Sequence, residues 1–277
     1  MSKHKSNEDL FNEAWSQFSK LITSEEDAAD AIFQSLSEDK KIDCGCDNSV
    51  IFRQSGERFF CCRTCKRKVH FTAGTLFAGS SRLRAWLAAT FFQGLGLAVS
   101  SLRLSRLLDI AQSTALNINK KVSAAIISKM DEAAPTVDAR LFSQVIFKRS
   151  RQTPADEHPR SELSDQPKPE PESEADPDPV SSNNAHRKTV QTNLPTASTT
   201  LQLSISMLAA AAVAFIRTYF DGVSHKYLQL YLAAFWCHRD RESWSPASVL
   251  RACLSHPPIS YLELLHYKVQ DIRMMPL

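Results

Sequence analysis

The chain has 277 residues, a formal net charge of +3, 43% hydrophobic and 23% charged residues, the profile of an ordinary globular protein with one large domain or two small ones. Seven glycines and 13 prolines exclude a fibrous chain. The polar start, Met1 to Lys20, predicts no signal peptide. The longest apolar run, Met207 to Ile216, is far shorter than the roughly 20 residues of a membrane span, so a cytoplasmic protein without a membrane partner is expected.

Residues 1–41 read as N-terminal helices. Leu10, Phe11, Trp15 and Phe18 recur at helical spacing and predict a helix over Asn7 to Ile22. Thr23 followed by Glu26 has the capping-box pattern, opening a second helix through Ala28, Ile32 and Leu36.

Residues 42–79 change character. Val50 to Arg53 and Arg58 to Cys61 read as strands around a turn at Gln54 to Glu57, and Lys68 to Phe71 and Thr75 to Phe77 look extended. Strands this short do not bury enough apolar area alone, and cysteine sulfur is placed to staple them. Five of the seven cysteines fall between Cys44 and Cys65, and in a chain without a secretion signal such clustering points to metal rather than to disulfides. Cys44 and Cys46 stand before the hairpin, and Cys62 and Cys65 form a C-x-x-C knuckle after it. Four thiolates so placed suit Zn²⁺, and Arg63, Lys66 and Arg67 favour the ionised sulfur. The first pair is C-x-C rather than C-x-x-C, with Asp43 where the first ligand of the usual register would fall. Either all four cysteines bind zinc through a tight first turn, or Asp43 replaces one thiolate, or the site has decayed. Cys61 and His70 are alternative ligands.

Residues 80–131 return to helical period. Leu83, Trp86, Leu87, Thr90 and Phe91 form one stripe, ended by Gly94 and Gly96. Ser100 is a good N-cap for a second helix, and the short turn Asp109 to Ala111 leads into a third over Gln112 to Met130, a helix-turn-helix pattern. On that third helix Ser113, Asn117 and Lys120 share one face, with Lys121 beside them, while Leu116, Ile118 and Val122 are expected to pack inward. Asn reads adenine and Lys reaches guanine or phosphate; Arg103 and Arg106 on the preceding helix are placed to touch phosphates.

Residues 132–153 form a connecting segment, and 154–200 read as a disordered linker: eight of the 13 prolines lie between Pro154 and Pro195, a composition that does not offset chain entropy. Residues 201–277 are helical again, with Ser224 as an N-cap, a break at Pro257-Pro258, and Ser260 opening a short last helix. Cys237 and Cys253 are expected to be ordinary buried thiols. The predicted fold class is mainly α with a small β zinc-ribbon: a helix-turn-helix bundle and a C-terminal helical segment separated by a disordered linker.

Charge is as uneven as composition. Asp156 to Asp178 holds nine acids against Arg160 and Lys168. Arg58 to Arg106 holds no acid and nine cations, among them Arg63, Lys66, Arg67, Lys68, Arg103 and Arg106. A cationic stretch of that size attracts a polyanion, and DNA is the expected partner. A homo-oligomer is left open.

The order of these parts resembles a group of bacterial insertion-sequence transposases. The resemblance rests on the ribbon, on Thr72-Ala73-Gly74-Thr75-Leu76-Phe77 as a "GT-x-F" strand, on Leu83-Arg84-Ala85-Trp86-Leu87 as an "L-x-x-W" helix, on the helix-turn-helix, and on Tyr219 to Leu232 as the segment that closes the family's catalytic domain. It covers about residues 8–130 and 201–241. It implies a DDE nuclease core of RNase H-like fold, with three carboxylates holding two divalent ions. The middle of the chain departs from that pattern: Asp138 matches the first carboxylate only loosely, the third falls near Ser206, and the acids of 156–178 lie in a stretch not suited to hold a metal pair rigidly. The resemblance therefore implies a transposase-derived DNA-binding protein without the cutting machinery, nucleoid-associated when DNA-bound. An active DDE nuclease with an unrecognised core, and a protein-interaction module built on the ribbon or on Tyr227, Tyr231 and Phe235, are the alternatives.

Overall fold

The computed structural model describes residues 7–39, 44–46, 51–130, 134–146, 196–220, 222–267 and 272–274. It is mainly helical, with a small antiparallel sheet beside the cysteines.

Helix α1 (Asn7–Leu21) buries Phe11, Ala14 and Phe18, the three- and four-residue steps of one helix face. Helix α2 (Glu25–Glu38) starts one residue later than the predicted box: Ser24 is the N-cap, and its hydroxyl and the Asp27 side chain cap reciprocally. Two boxes overlap in the sequence, and the Ser24–Asp27 one prevails because the Asp27 carboxylate also accepts from the Thr23 hydroxyl and N–H. These bonds, the Thr23 hydroxyl first, hold the Asp27 carboxyl below its usual value.

Strands β1 (Ile51–Phe52), β2 (Phe59–Cys62) and β3 (Lys68–His70) form one antiparallel sheet in the order β1-β2-β3. Its register pairs Ile51 with Cys62, Phe60 with Val69, and Phe59 with His70. The pleat therefore turns Cys62 and Phe60 into the core and leaves Phe52, Cys61, Lys68, Phe59 and His70 on the outer face. The hairpin is held on α2 by Asp30, whose carboxylate accepts from the Gly56 N–H at 2.9 Å and pairs with Arg53 at 2.6 Å. The Arg53 guanidinium lies over the rings of Phe33 and Phe71, at 4.5 and 5.2 Å.

Thr75 to Phe77 is not extended, as the sequence pattern predicts, but part of a run of turns. The Thr75 hydroxyl donates to the Thr72 carbonyl at 2.8 Å and accepts from the Phe77 N–H at 3.2 Å. A threonine that satisfies its own neighbourhood in this way offers the backbone an alternative to a strand. The turns aim Phe77 edge-on at Trp86, with ring centroids 5.2 Å apart, and the Trp86 indole N–H donates to the Ser80 hydroxyl at 2.9 Å.

Helices α3 (Leu83–Gly94), α4 (Ser101–Leu108) and α5 (Gln112–Ile127) follow. The Ser100 hydroxyl accepts from the Arg103 N–H, as an N-cap should. Asp109 sits in the left-handed region at φ 49° and turns the chain into α5, which ends three residues short of the predicted Met130. Helix α3 is apolar nearly all round and is buried accordingly. The Phe11 and Phe92 rings stack at 4.8 Å on one side of it. On another lies α8 (Pro246–Ser255), capped by the Ser245 hydroxyl with Pro246 in its first turn. The contact is backbone to backbone: a Cβ on Gly94 would stand 2.3 Å from the Pro246 Cα. Gly94→Ala is expected to destabilise the protein by about 3 kcal/mol, an overpacking cost with no flexible neighbour to yield, read as a lowered denaturant midpoint at unchanged slope.

Helix α6 (Thr196–Phe220) begins five residues inside the stretch predicted as linker; residues 154–195 lie outside those described. Ser224 stands at the N-cap of a 3₁₀ turn, His225–Tyr227, without a side-chain capping bond, and α7 (Leu228–Arg239) follows. Helix α9 (Tyr261–Leu265) is capped by Ser260 as expected, and Glu263 closes a capping box not predicted from the sequence. The pairing of β4 (Thr136–Val137) with β5 (Ile272–Arg273) has no counterpart in the sequence pattern, because two-residue strands carry no readable periodicity.

Met1–Phe147 and Leu203–Leu277 form one compact unit; a second spans Lys148–Gln202, whose described part is the start of α6. In the first unit the C-terminal segment completes the core of the front half. One buried cluster joins Phe60, Phe77 and Phe92 to Cys237, Val249 and Cys253. Another joins Phe142 and Val145 to Ile216, Leu228 and Ile272. No helix among the described residues is long and apolar enough to cross a membrane.

Candidate metal centre and nucleic-acid interface

Cys44, Cys46, Cys62 and Cys65 converge: their four Sγ atoms all lie within 4.8 Å of one another. Two local devices bring them together. Gly45, at φ 78°, takes the left-handed conformation that folds Cys44-Gly45-Cys46 on itself, so two sulfurs separated by a single residue lie side by side at 2.8 Å. That turn is how a C-x-C pair does the work of a C-x-x-C. In the second limb the Lys66 N–H donates to the Cys62 carbonyl at 2.9 Å and the Cys62 N–H donates to the Arg67 carbonyl at 3.0 Å, with Lys66 itself at φ 60°. The limbs are tied to each other by Arg67, whose Nη1 donates to the Cys44 carbonyl at 3.3 Å.

This centre can hold a metal ion. The Cys62 thiol is drawn down to about 6, first by the Cys65 N–H, which outweighs burial. The Cys46 thiol is held well above its usual value, first by its contact with the Cys44 sulfur. Four sulfurs crowded together resist ionising together unless a cation lies among them. Cys61 and His70 face outward and are not in the group, which excludes them as first choices; Asp43 lies outside the described residues. Cys237 and Cys253 are fully buried, and burial lifts the Cys237 thiol to about 12 and the Cys253 thiol higher. Both are inert packing groups.

Beside the cysteines the surface is basic and aromatic. Arg63, Lys66, Arg67 and Lys68 are exposed. Lys68 Nζ lies 3.1 Å from the centroid of the Phe59 ring, and the Arg63 guanidinium 5.3 Å from that of Phe52, itself 52% exposed. Cation-on-ring stacking holds these charges outward. The signal that could have singled out Phe52 and Phe59 is their place among the cations of a strand pair, where an aromatic residue on the outer face has no core to fill.

The helix-turn-helix cations are less free. Arg103 makes a two-pronged pair with the Glu8 carboxylate and lies 3.4 Å from the centroid of the Phe11 ring. Arg106 and Ser113 are exposed, and Asn117 is half-buried. Lys120 is half-buried with its Nζ 3.5 Å from the centroid of Tyr227. Burial pulls the ammonium pKa of both Lys120 and Lys121 down, with Glu263 opposing it at Lys121. The partners involved, Glu8 and Tyr227, come from distant parts of the chain, so nothing local in the sequence announces them. Ile118 and Val122 are buried as expected, and Leu116 partly so.

Asp138 is the N-cap of a 3₁₀ turn, Ala139–Phe142, and is paired with Arg140. That pairing, the Arg140 side chain first, holds its carboxyl below the usual range. After residue 132 the sheet among the described residues is the two-stranded β4–β5 pair, with one parallel bridge between Ile146 and Val223. The stripe of Tyr227, Tyr231 and Phe235 is turned partly or wholly inward. No protein-family model matches the chain, and no curated protein or solved structure matches it.

Proposed function

We propose that this chain is a DNA-binding protein, transposase-derived and non-catalytic, whose zinc-stapled ribbon presents a basic, aromatic face to the polyphosphate. The observation that carries the reading is the convergence of four cysteine sulfurs at the β2–β3 turn, where Arg63, Lys66, Arg67 and Lys68 are exposed. Four thiolates favour Zn²⁺ among common ions, and a tetrahedral shell with bonds of about 2.3 Å needs sulfurs about 3.8 Å apart. The Cys44–Cys46 and Cys46–Cys62 spacings of 2.8 and 3.4 Å fall below that value, and the whole set lies inside 4.8 Å.

Arg106 and Ser113 supply the helix-turn-helix share of the contact, with Asn117 behind them. Lys120 and Lys121 contribute less, because leaving Tyr227 and Glu263 offsets part of what a phosphate would return. Asp138, engaged as an N-cap and paired with Arg140, supports binding without cutting. Elemental analysis of purified protein, with selection from a random duplex library, tests the reading. One zinc per chain and retention that falls steeply with salt support it; metal-free folded protein or salt-insensitive retention overturns it.

A further inference from the structure

Between the helix-turn-helix and the C-terminal helices lies a cavity of about 360 Å³, walled by α5 on one side and by the end of α6 and α7 on the other. Its surface is mostly apolar, from Leu116, Leu230, Phe220 and Tyr231. Phe220 and Tyr231 meet edge to face with centroids 4.8 Å apart, leaving aromatic surface along the wall. Gln93 lines the same cavity from α3, is 7% exposed, and its Oε1 has no hydrogen-bond partner. A buried acceptor without a donor carries the cost of its lost hydration. The terminal torsion of a glutamine is soft, so the amide can swing to meet a donor that enters.

We propose that this cavity binds a small, uncharged two-ring aromatic molecule carrying one O–H or N–H group, with the rings against Phe220 and Tyr231 and the donor on Gln93 Oε1. The size is in the range of ligand pockets, which are largely apolar with a few placed polar groups. A dry cavity near 150 Å³ takes a single benzene ring, and this one has room for two. Lys120 on the same wall disfavours a cationic guest. An occupant would brace α5 against α6 and α7.

The test uses the full-length, metal-loaded protein and two probes, 2-naphthol and 2-methoxynaphthalene, and needs no DNA. The wild type is expected to bind 2-naphthol one to one with a Kd of about 10–100 µM. Gln93→Leu keeps the volume and removes the acceptor; it is expected to weaken 2-naphthol about tenfold and to leave 2-methoxynaphthalene within about twofold, since that probe has no donor to lose. Leu116→Trp, which fills the space, is expected to abolish binding of both. Wild type that binds neither probe, Gln93→Leu that binds 2-naphthol as tightly as wild type, or folded Leu116→Trp that still binds overturns the proposal.

Discussion

With zinc at the four cysteines as proposed, replacing Cys62 with serine is expected to weaken zinc binding about a hundredfold and to destabilise the ribbon, a loss of metal as well as of packing. Cys62 is fully buried, lies in the central strand of the sheet and joins the sulfur cluster. Structural zinc sites carry roughly 10–16 kcal/mol of apparent binding energy; spread over four thiolates, one ligand is worth about 3 kcal/mol, or about two orders of magnitude in zinc affinity. Because the strands are two to four residues long, much of that energy is folding energy. Amide protection across residues 51–71 should fall with the metal content. Cys61→Ser is the internal control: one residue along the same strand, its side chain points to the other face, and zinc content should stay near one per chain. Acid should mimic the Cys62 substitution, since protons compete for the thiolates. In the metal-free centre Cys62, of Cys44, Cys46 and Cys62, keeps its negative charge to the lowest pH, near 6, and bound metal carries that limit lower.

Neutralising the ribbon's exposed cations is expected to have the second largest effect, on binding rather than folding. The informative variant is Arg63→Gln, Lys66→Gln, Lys68→Gln together, with Arg67 retained because it bonds the Cys44 carbonyl. At roughly 1 kcal/mol for each phosphate engaged, duplex affinity at low salt should fall about a hundredfold. The slope of log affinity against log salt should become shallower by about 3, near 0.9 for each phosphate no longer neutralised. Lys120→Gln should cost less than about threefold, since its ammonium is half-buried against Tyr227 whereas the ribbon cations are exposed. If Lys120→Gln costs more than the ribbon triple, the principal DNA surface is α5.

The helices are legible where a strong local signal marks them. The aromatic spacing of Phe11, Trp15 and Phe18, the Ser100 and Ser260 caps and the C-x-x-C knuckle each appear in the structure where the residues place them. What is not legible depends on partners far along the chain. Nothing near Lys120 announces Tyr227, nothing near Gly94 announces Pro246, and nothing near Thr136 announces Arg273. The same limit hides the C-terminal segment's part in the core: Cys237 and Cys253 look like ordinary buried cysteines, yet they pack in the cluster that contains Phe60 and Phe92. Thr75 misleads for a different reason, since a β-branched residue beside Phe77 looks like a strand until its hydroxyl is seen satisfying the turn.

On the proposed function, metal at the four cysteines shapes the surface that grips DNA. The deciding measurement is the duplex affinity of the full chain at low salt, zinc-loaded, after removal of zinc by a chelator, and after zinc is restored. Affinity should fall by at least about tenfold on chelation and return on reloading, because a ribbon without its staple no longer holds Arg63, Lys66 and Lys68 on one face. Equal affinity in all three states, in protein shown to have lost and regained its zinc, would mean that the metal does not shape the DNA-binding surface.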